Sequence, residues 1–146
     1  MINFKKILCP VDYSECSGKA MRYAAGMALK DSARLYLMYV VDSRVLDYGG
    51  PVYETAYIPD SGTIARLEEK LKESVPREVR GEIQVETVVT IGIPVEEILK
   101  AARDKEVDII VMGTHGRTGI AHAVMGSVAE NVVRHAPCPV LIVRQS

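Results

Sequence analysis

The sequence predicts an α/β protein built on a five-stranded, mostly parallel, doubly wound sheet in the order 3-2-1-4-5, with helices on both faces. Three observations carry that expectation. Apolar runs of strand length alternate with amphipathic helical stretches along the 146 residues, in the order βαβαβαβαβ. The run Ile109-Ile110-Val111-Met112 is continuously apolar, as in a strand buried on both faces of a parallel sheet. It stops at Gly113 and gives way to a glycine-bearing stretch that leads into a helix start at Ser127. Right-handed crossovers restrict the layouts. A sheet that winds outward from its first strand and then reverses has its switch point between strands one and four.

The elements follow in order. Residues 4–11 form the first strand, with Ile7, Leu8 and Val11 apolar; Pro10 has no N–H to give the ladder and marks where pairing stops. Asp12, Tyr13, Ser14 and Glu15 offer caps to a helix running to about Lys30, whose stripe is Ala20, Met21, Ala24, Met27 and Ala28. Gly18 and Gly26 weaken that helix locally and point to close packing on the sheet. Residues 34–41 are the second strand, ending at Asp42. From 43 to 63 the chain turns irregular and tyrosine-rich, with Tyr48, Tyr53 and Tyr57; such a stretch is either a mobile surface excursion or a lid. Residues 63–74 form a helix with Ile64, Leu67 and Leu71 as its stripe, ended before Pro76.

Residues 83–91 alternate, with Ile83, Val85, Thr87, Val89 and Ile91 on one face. Gln84, Glu86 and Thr90 lie mostly on the other, as on an edge strand with one exposed face. Pro94 opens the next helix at its first position, and Val95, Ile98, Leu99 and Ala102 make its stripe to about Glu106. After the 109–112 strand, Ser127-Val128-Ala129-Glu130 has the spacing of a capping box for a helix from Ser127 to His135. Pro137 and Pro139 close it, and Val140, Leu141, Ile142 and Val143 make a short last strand.

Length and composition fit one ordinary domain spanning 1–146 with a core large enough to need no staples. A net charge of -1 gives no basic footprint, so nucleic acid is not expected as a partner. No run reaches the length of an uncharged membrane span, and MINFKKILCP lacks the long apolar core of a secretory signal. Cytoplasm is the expected location, with no membrane partner. Cys9, Cys16 and Cys138 are odd in number and form no CxxC, which argues against a disulfide framework or a zinc site. Cys9, inside an apolar strand, reads as a small buried hydrophobe.

The switch point is where ligands bind in such sheets, outside the carboxyl ends of the strands. Those ends are Pro10-Val11-Asp12 and Met112-Gly113. A strand, a glycine-bearing loop and a helix N-terminus together make an anion site, because backbone N–H groups can approach a phosphate and the helix dipole favours it. Gly113 to Gly116, with Gly126, Ser127 and Val128, would supply the donors. Arg117 neutralises charge there or simply faces solvent. Asp12 either accepts from a ribose hydroxyl or adenine amine, holds a magnesium ion through water, or caps the first helix. Val11, Val40, Val41 and Met112 either sandwich a purine or are core. For phosphoryl transfer the candidates are Asp12 and His115, neither with an evident partner, so no catalytic residue is assigned.

The spacing Gly113-x-x-Gly116, nine residues, then Gly126-Ser127 resembles the G-x2-G-x9-G-[S/T] signature of the nucleotide-binding branch of the universal stress protein family. The resemblance extends to the opening KKILCPVDYSECS, to MYVVD after the second strand and to the closing APCPVLIV. Residues 43–80 carry nothing diagnostic. The resemblance implies a Rossmann-like fold of the adenine nucleotide alpha hydrolase-like type, and adenosine phosphate (ATP or AMP) as ligand. It implies binding by Pro10, Asp12, Val40, Met112-Gly113, the Gly113–Gly116 loop with His115, and Gly126-Ser127. It also implies a homodimer through the last strand, which otherwise leaves an exposed apolar edge.

The function expected is a dimeric, nucleotide-binding regulator; the alternatives are a slow ATP hydrolase and a nucleotide-independent dimeric scaffold. A receiver domain would want an acidic pair after strand one and an aspartate ending strand three, where this chain has Asp12 alone and Thr90-Ile91-Gly92. A flavodoxin-like protein would put its phosphate loop where Asp12-Tyr13-Ser14-Glu15 stands. Either Gly113→Val or Gly126→Val is expected to block the nucleotide while leaving the dimer folded.

Overall fold

The computed structural model describes residues 1–44, 59–115 and 125–145. Five strands form one parallel sheet: β1 (Lys6–Pro10), β2 (Arg34–Asp42), β3 (Gln84–Gly92), β4 (Ile109–Gly113) and β5 (Val140–Val143). Their order is β3-β2-β1-β4-β5, as the alternation of elements predicts. The helices between them are α1 (Glu15–Asp31), α2 (Ser61–Glu73), α3 (Pro94–Asp104) and α4 (Ser127–His135).

Strand alternation divides the core into two layers. Ile7, Cys9 and Val11 of the first strand and its exit, with Leu35 and Leu37 of β2 and Ile109 and Val111 of β4, pack against α1 and α2. Leu8, Tyr36, Met38, Ile110 and Met112 point the other way, onto α3 and α4. The reversal between β1 and β4 follows from this division. Crossovers from β1 and β2 cover one face, and those from β3 and β4 cover the other.

Helix α1 lies close to the sheet because its buried stripe is small: Ala20, Ala24, Ala25 and Ala28 are all 0–1% exposed. Gly18 and Gly26 play no part in that contact. A Cβ on either would meet nothing within 4 Å, so the alanines alone explain the close approach expected of the glycines. Burial of Cys9 pushes its thiol up to about 12, so it stays protonated and inert, a hydrophobe as its strand context predicts.

Boundaries move where capping chemistry moves them. Helix α2 begins two residues before the expected Thr63, because Asp60 accepts from the Thr63 N–H at 2.7 Å and caps it. Helix α3 stops short of Glu106, which turns left-handed at φ 50 while the Val107 N–H closes back on the Ala102 carbonyl at 3.1 Å. Strand β3 is the edge strand expected, with Gln84 and Glu86 exposed. Its outer face is less bare than alternation implies: Val88 packs on the α3 layer. The Thr90 hydroxyl is buried with no hydrogen-bond partner among the described residues, at a cost of about 1–3 kcal/mol. Of the irregular stretch, residues 45–58 lie outside those described, and with them the question of a lid. Among the described residues no helix is long and apolar enough to cross a membrane.

Candidate functional site

Asp12 leaves the carboxyl end of β1 at the switch point, between the ends of β2 and β4. Pro10 is the last strand residue, although the Val11 N–H adds one more bond to the Met38 carbonyl at 2.8 Å. Asp12 does not cap α1; Ser14 does, its side chain accepting from the Ser17 N–H at 3.1 Å. Asp12 makes the turn before the cap instead. Its Oδ1 accepts from the Ser14 N–H at 2.9 Å, and its own N–H reaches the Ser17 hydroxyl at 3.3 Å. Its Oδ2 has no hydrogen bond among the described residues. The neighbouring carboxylate at the end of β2, Asp42, differs: Arg44 holds both of its oxygens, at 3.0 and 2.8 Å, and keeps its carboxyl below the usual range. Of the two, Asp12 is the one with a carboxylate oxygen not hydrogen-bonded among the described residues.

The other half of the crevice is the exit of β4 and the entry of α4, which are hydrogen-bonded to each other. The Gly126 N–H donates to the Thr114 carbonyl at 2.7 Å, so the exit of β4 and the start of α4 are drawn together. Gly126 is the N-cap, with no side-chain cap, and Ser127 is the first helical residue. The capping box read from Ser127 to Glu130 is therefore not formed; Glu130 instead bonds Arg134 one turn along at 2.9 Å. The register slips by one because the Thr114 contact fixes Gly126 outside the helix. The outcome favours an anion site: without a capping side chain, the first-turn N–H groups are left for a ligand.

The two halves meet. Thr114 is the junction: its N–H donates to the Val143 carbonyl at 3.1 Å, and its hydroxyl lies 3.4 Å from the Cys16 sulfur and 3.1 Å from His115 Nδ1. Cys16, in the first turn of α1, also donates to the Val143 carbonyl at 3.2 Å. Gly113 sits directly against that turn: a Cβ there would lie 2.7 Å from the Cys16 sulfur and 2.9 Å from its carbonyl carbon. Gly113, His115 and Gly126 thus surround Thr114, and Asp12 leads into the α1 turn whose Cys16 touches it. Sequence reasoning missed Cys16, Ser17 and Thr114, whose types carry no signal beside the glycines.

The apolar wall divides differently from the expectation. Val40, Met112 and Val128 share the α3–α4 face, so they can line one side of the crevice together. Val11 is 5% exposed and packs into the opposite layer with Cys9 and Ala20. Only its backbone can face a ligand, because alternation turns its side chain away. Gly116 and Arg117 lie outside the described residues. Among those described, no group of three or more His, Cys, Asp or Glu side chains is placed to hold a metal ion.

Comparison with known proteins gives a consistent result. The universal stress protein family profile matches residues 3–144. Universal stress protein MJ0577 of Methanocaldococcus jannaschii is 31% identical over 159 residues, covering 99% of this chain and 97% of its own. The solved structure of MJ0577 superposes with a TM-score of 0.79, covering 99% of both chains at 30% identity. A universal stress protein crystallised in complex with cAMP is similar in fold, with a TM-score of 0.71, 23% identity and coverage of 99% and 100%. So is the one from Archaeoglobus fulgidus in complex with dAMP, with a TM-score of 0.65, 20% identity and coverage of 98% and 99%.

Proposed function

The chain belongs to the universal stress protein family, and from that membership we propose that it binds an adenosine nucleotide, ATP or AMP, and acts as a dimeric regulator. The observation that carries the reading is the closure of β4 on α4 beside Asp12. It brings a helix start without a capping side chain within one crevice of a carboxylate that keeps one oxygen for a ligand. Phosphate would sit at the Gly126-Ser127-Val128 turn, and the base would lie against Val40 and Met112. Asp12 Oδ2 would accept from a ribose hydroxyl or the adenine amine. Cyclic AMP and dAMP complexes of similar proteins support adenosine as the ligand class.

Magnesium fits as a water-bridged partner rather than a caged one. It is the alternative use of Asp12 Oδ2: one carboxylate plus phosphate oxygens is an ordinary way to hold that ion. The chemistry it would supply is charge neutralisation of the phosphates.

The test has two parts. Protein purified without added nucleotide is denatured, and released small molecules are identified by mass. Titration calorimetry with ATP and AMP, with and without magnesium, then gives affinity. Saturable binding of at least one supports the reading; none of either, with nothing released, overturns it. Sustained release of ADP over many turnovers would make the chain an ATP hydrolase. A dimer without nucleotide binding would make it a scaffold.

The dimer would form through β5. It is a sheet edge with Leu141 at 36% exposure, and Val133 of the adjacent α4 is 44% exposed. An uncovered apolar edge invites pairing with a second copy. Leu141→Arg should convert a dimer to a monomer in analytical ultracentrifugation. A wild-type monomer at all concentrations would rule the dimer out.

A further inference from the structure

We propose that Tyr13 is a positioning residue for Asp12, held in place by Tyr39 of β2 and Lys70 of α2; the proposal rests on the nucleotide reading above. Tyr13 has φ 64, in the left-handed region that side chains avoid. Among the described residues two other non-glycine positions share such an angle, Ser32 and Glu106. Both follow helix C-termini, where a left-handed residue is a routine stop. Tyr13 is different. It stands between a strand and a helix N-cap, directly after Asp12, it is large, and it packs against the α1–α2 layer of the core.

A bulky residue keeps such a conformation only when its surroundings over-determine it. Here the ring is fixed from two sides. The Tyr39 ring lies 5.5 Å away, centroid to centroid, tilted by 43°. The Lys70 ammonium sits 4.1 Å over the Tyr13 ring, within cation–π range. Neither partner is near in sequence: Tyr39 lies on β2 and Lys70 on α2.

The consequence falls on Asp12. The left-handed residue is what turns the chain so that the Ser14 N–H can reach Asp12 Oδ1 at 2.9 Å. The same turn lets Ser14 cap α1 at 3.1 Å and brings Ser17 to the Asp12 N–H at 3.3 Å. With the ring removed, the Tyr39 and Lys70 contacts that hold the turn are lost, and the carboxylate loses its fixed bearing on the ligand. Tyr13 would act through Asp12 without touching the nucleotide.

A role exercised through another residue is read by a double-mutant cycle. ATP affinity is measured by calorimetry for wild type, Tyr13→Phe, Tyr13→Ala, Asp12→Ala and the Asp12→Ala/Tyr13→Ala double variant, with melting temperature followed in parallel. Tyr13→Ala is expected to weaken ATP binding about tenfold in the wild-type background and less than about twofold once Asp12 is already alanine. Tyr13→Phe, which keeps the ring and its two neighbours, is expected to bind within about twofold of wild type. If Tyr13→Ala does not fold, Tyr13→Leu takes its place in the cycle. Equal losses in both backgrounds, or no loss in either, overturn the proposal. Asp12→Ala binding as tightly as wild type overturns it too, while leaving nucleotide binding itself intact. Wild-type protein that binds no ATP or AMP removes the reading beneath it.

Discussion

A Gly113→Val protein is expected to lose stability before it loses ligand. The position looks, in sequence, like a glycine kept for a phosphate. In the fold it is the contact between β4 and the first turn of α1. A Cβ would lie 2.9 Å from the Cys16 carbonyl carbon and 3.0 Å from its Cβ. These atoms belong to a helix turn and cannot swing aside like the tip of a long side chain. Valine adds two methyl groups beyond that Cβ. Overpacking of this kind costs about 3 kcal/mol at the upper end of its usual range. For a chain of this size that is a fall of roughly 10 °C in melting temperature. Thermal and urea unfolding followed by circular dichroism check it. A Gly113→Val variant that melts within two or three degrees of wild type would show that the helix gives way freely (about 1 kcal/mol or less). Gly113→Val therefore strains the packing of β4 on α1, rather than sparing the fold as the sequence alone suggests.

How far the sequence could be read depends on the range of the interactions involved. Strands β1, β2 and β4 are legible because burial on both faces leaves unbroken apolar runs such as Leu35 to Met38 and Ile109 to Met112. The sheet order follows from alternation and handedness, so it too was within reach. Residue roles at the crevice were not, wherever they depend on a contact made across the chain. Gly113 is constrained by Cys16, and Cys16 by Thr114 and Val143, at sequence separations of 98 and 127. No local pattern announces that. The capping box failed for a similar reason: Ser127-x-x-Glu130 is a sound local signal, but the Thr114 carbonyl claims the Gly126 N–H and fixes the register of α4. Val11 shows a third limit. That it is apolar was plain, but which layer it enters depends on β1 phase, and one residue of phase turns it from the crevice wall into the opposite core.

Gly126→Ala is expected to do what Gly113→Val does not, namely to abolish tight nucleotide binding at little cost to stability. Its backbone, at φ -62 and ψ 158, is open to any residue, so no conformational strain accompanies the change. The added Cβ would lie 3.0 Å from the Thr114 carbonyl oxygen and 3.5 Å from the His115 Cα. That is tight contact that a small shift relieves, and alanine is a poorer N-cap than glycine by less than about 1 kcal/mol. The cost to stability is accordingly about 1 kcal/mol, a few degrees in melting temperature. The cost to binding is larger. The methyl group stands at the junction of the β4 exit and the first turn of α4, where, in the function proposed, a phosphate would approach the N–H groups within hydrogen-bond distance. Displacing it by even half an ångström or so weakens every one of those bonds together. ATP affinity should fall about a hundredfold, equivalent to about 2.7 kcal/mol. Calorimetry on protein whose folding has been checked by melting separates the two costs. Unchanged ATP affinity in Gly126→Ala, with wild-type binding intact, would mean that the phosphates lie elsewhere and that the closure of β4 on α4 serves the fold alone.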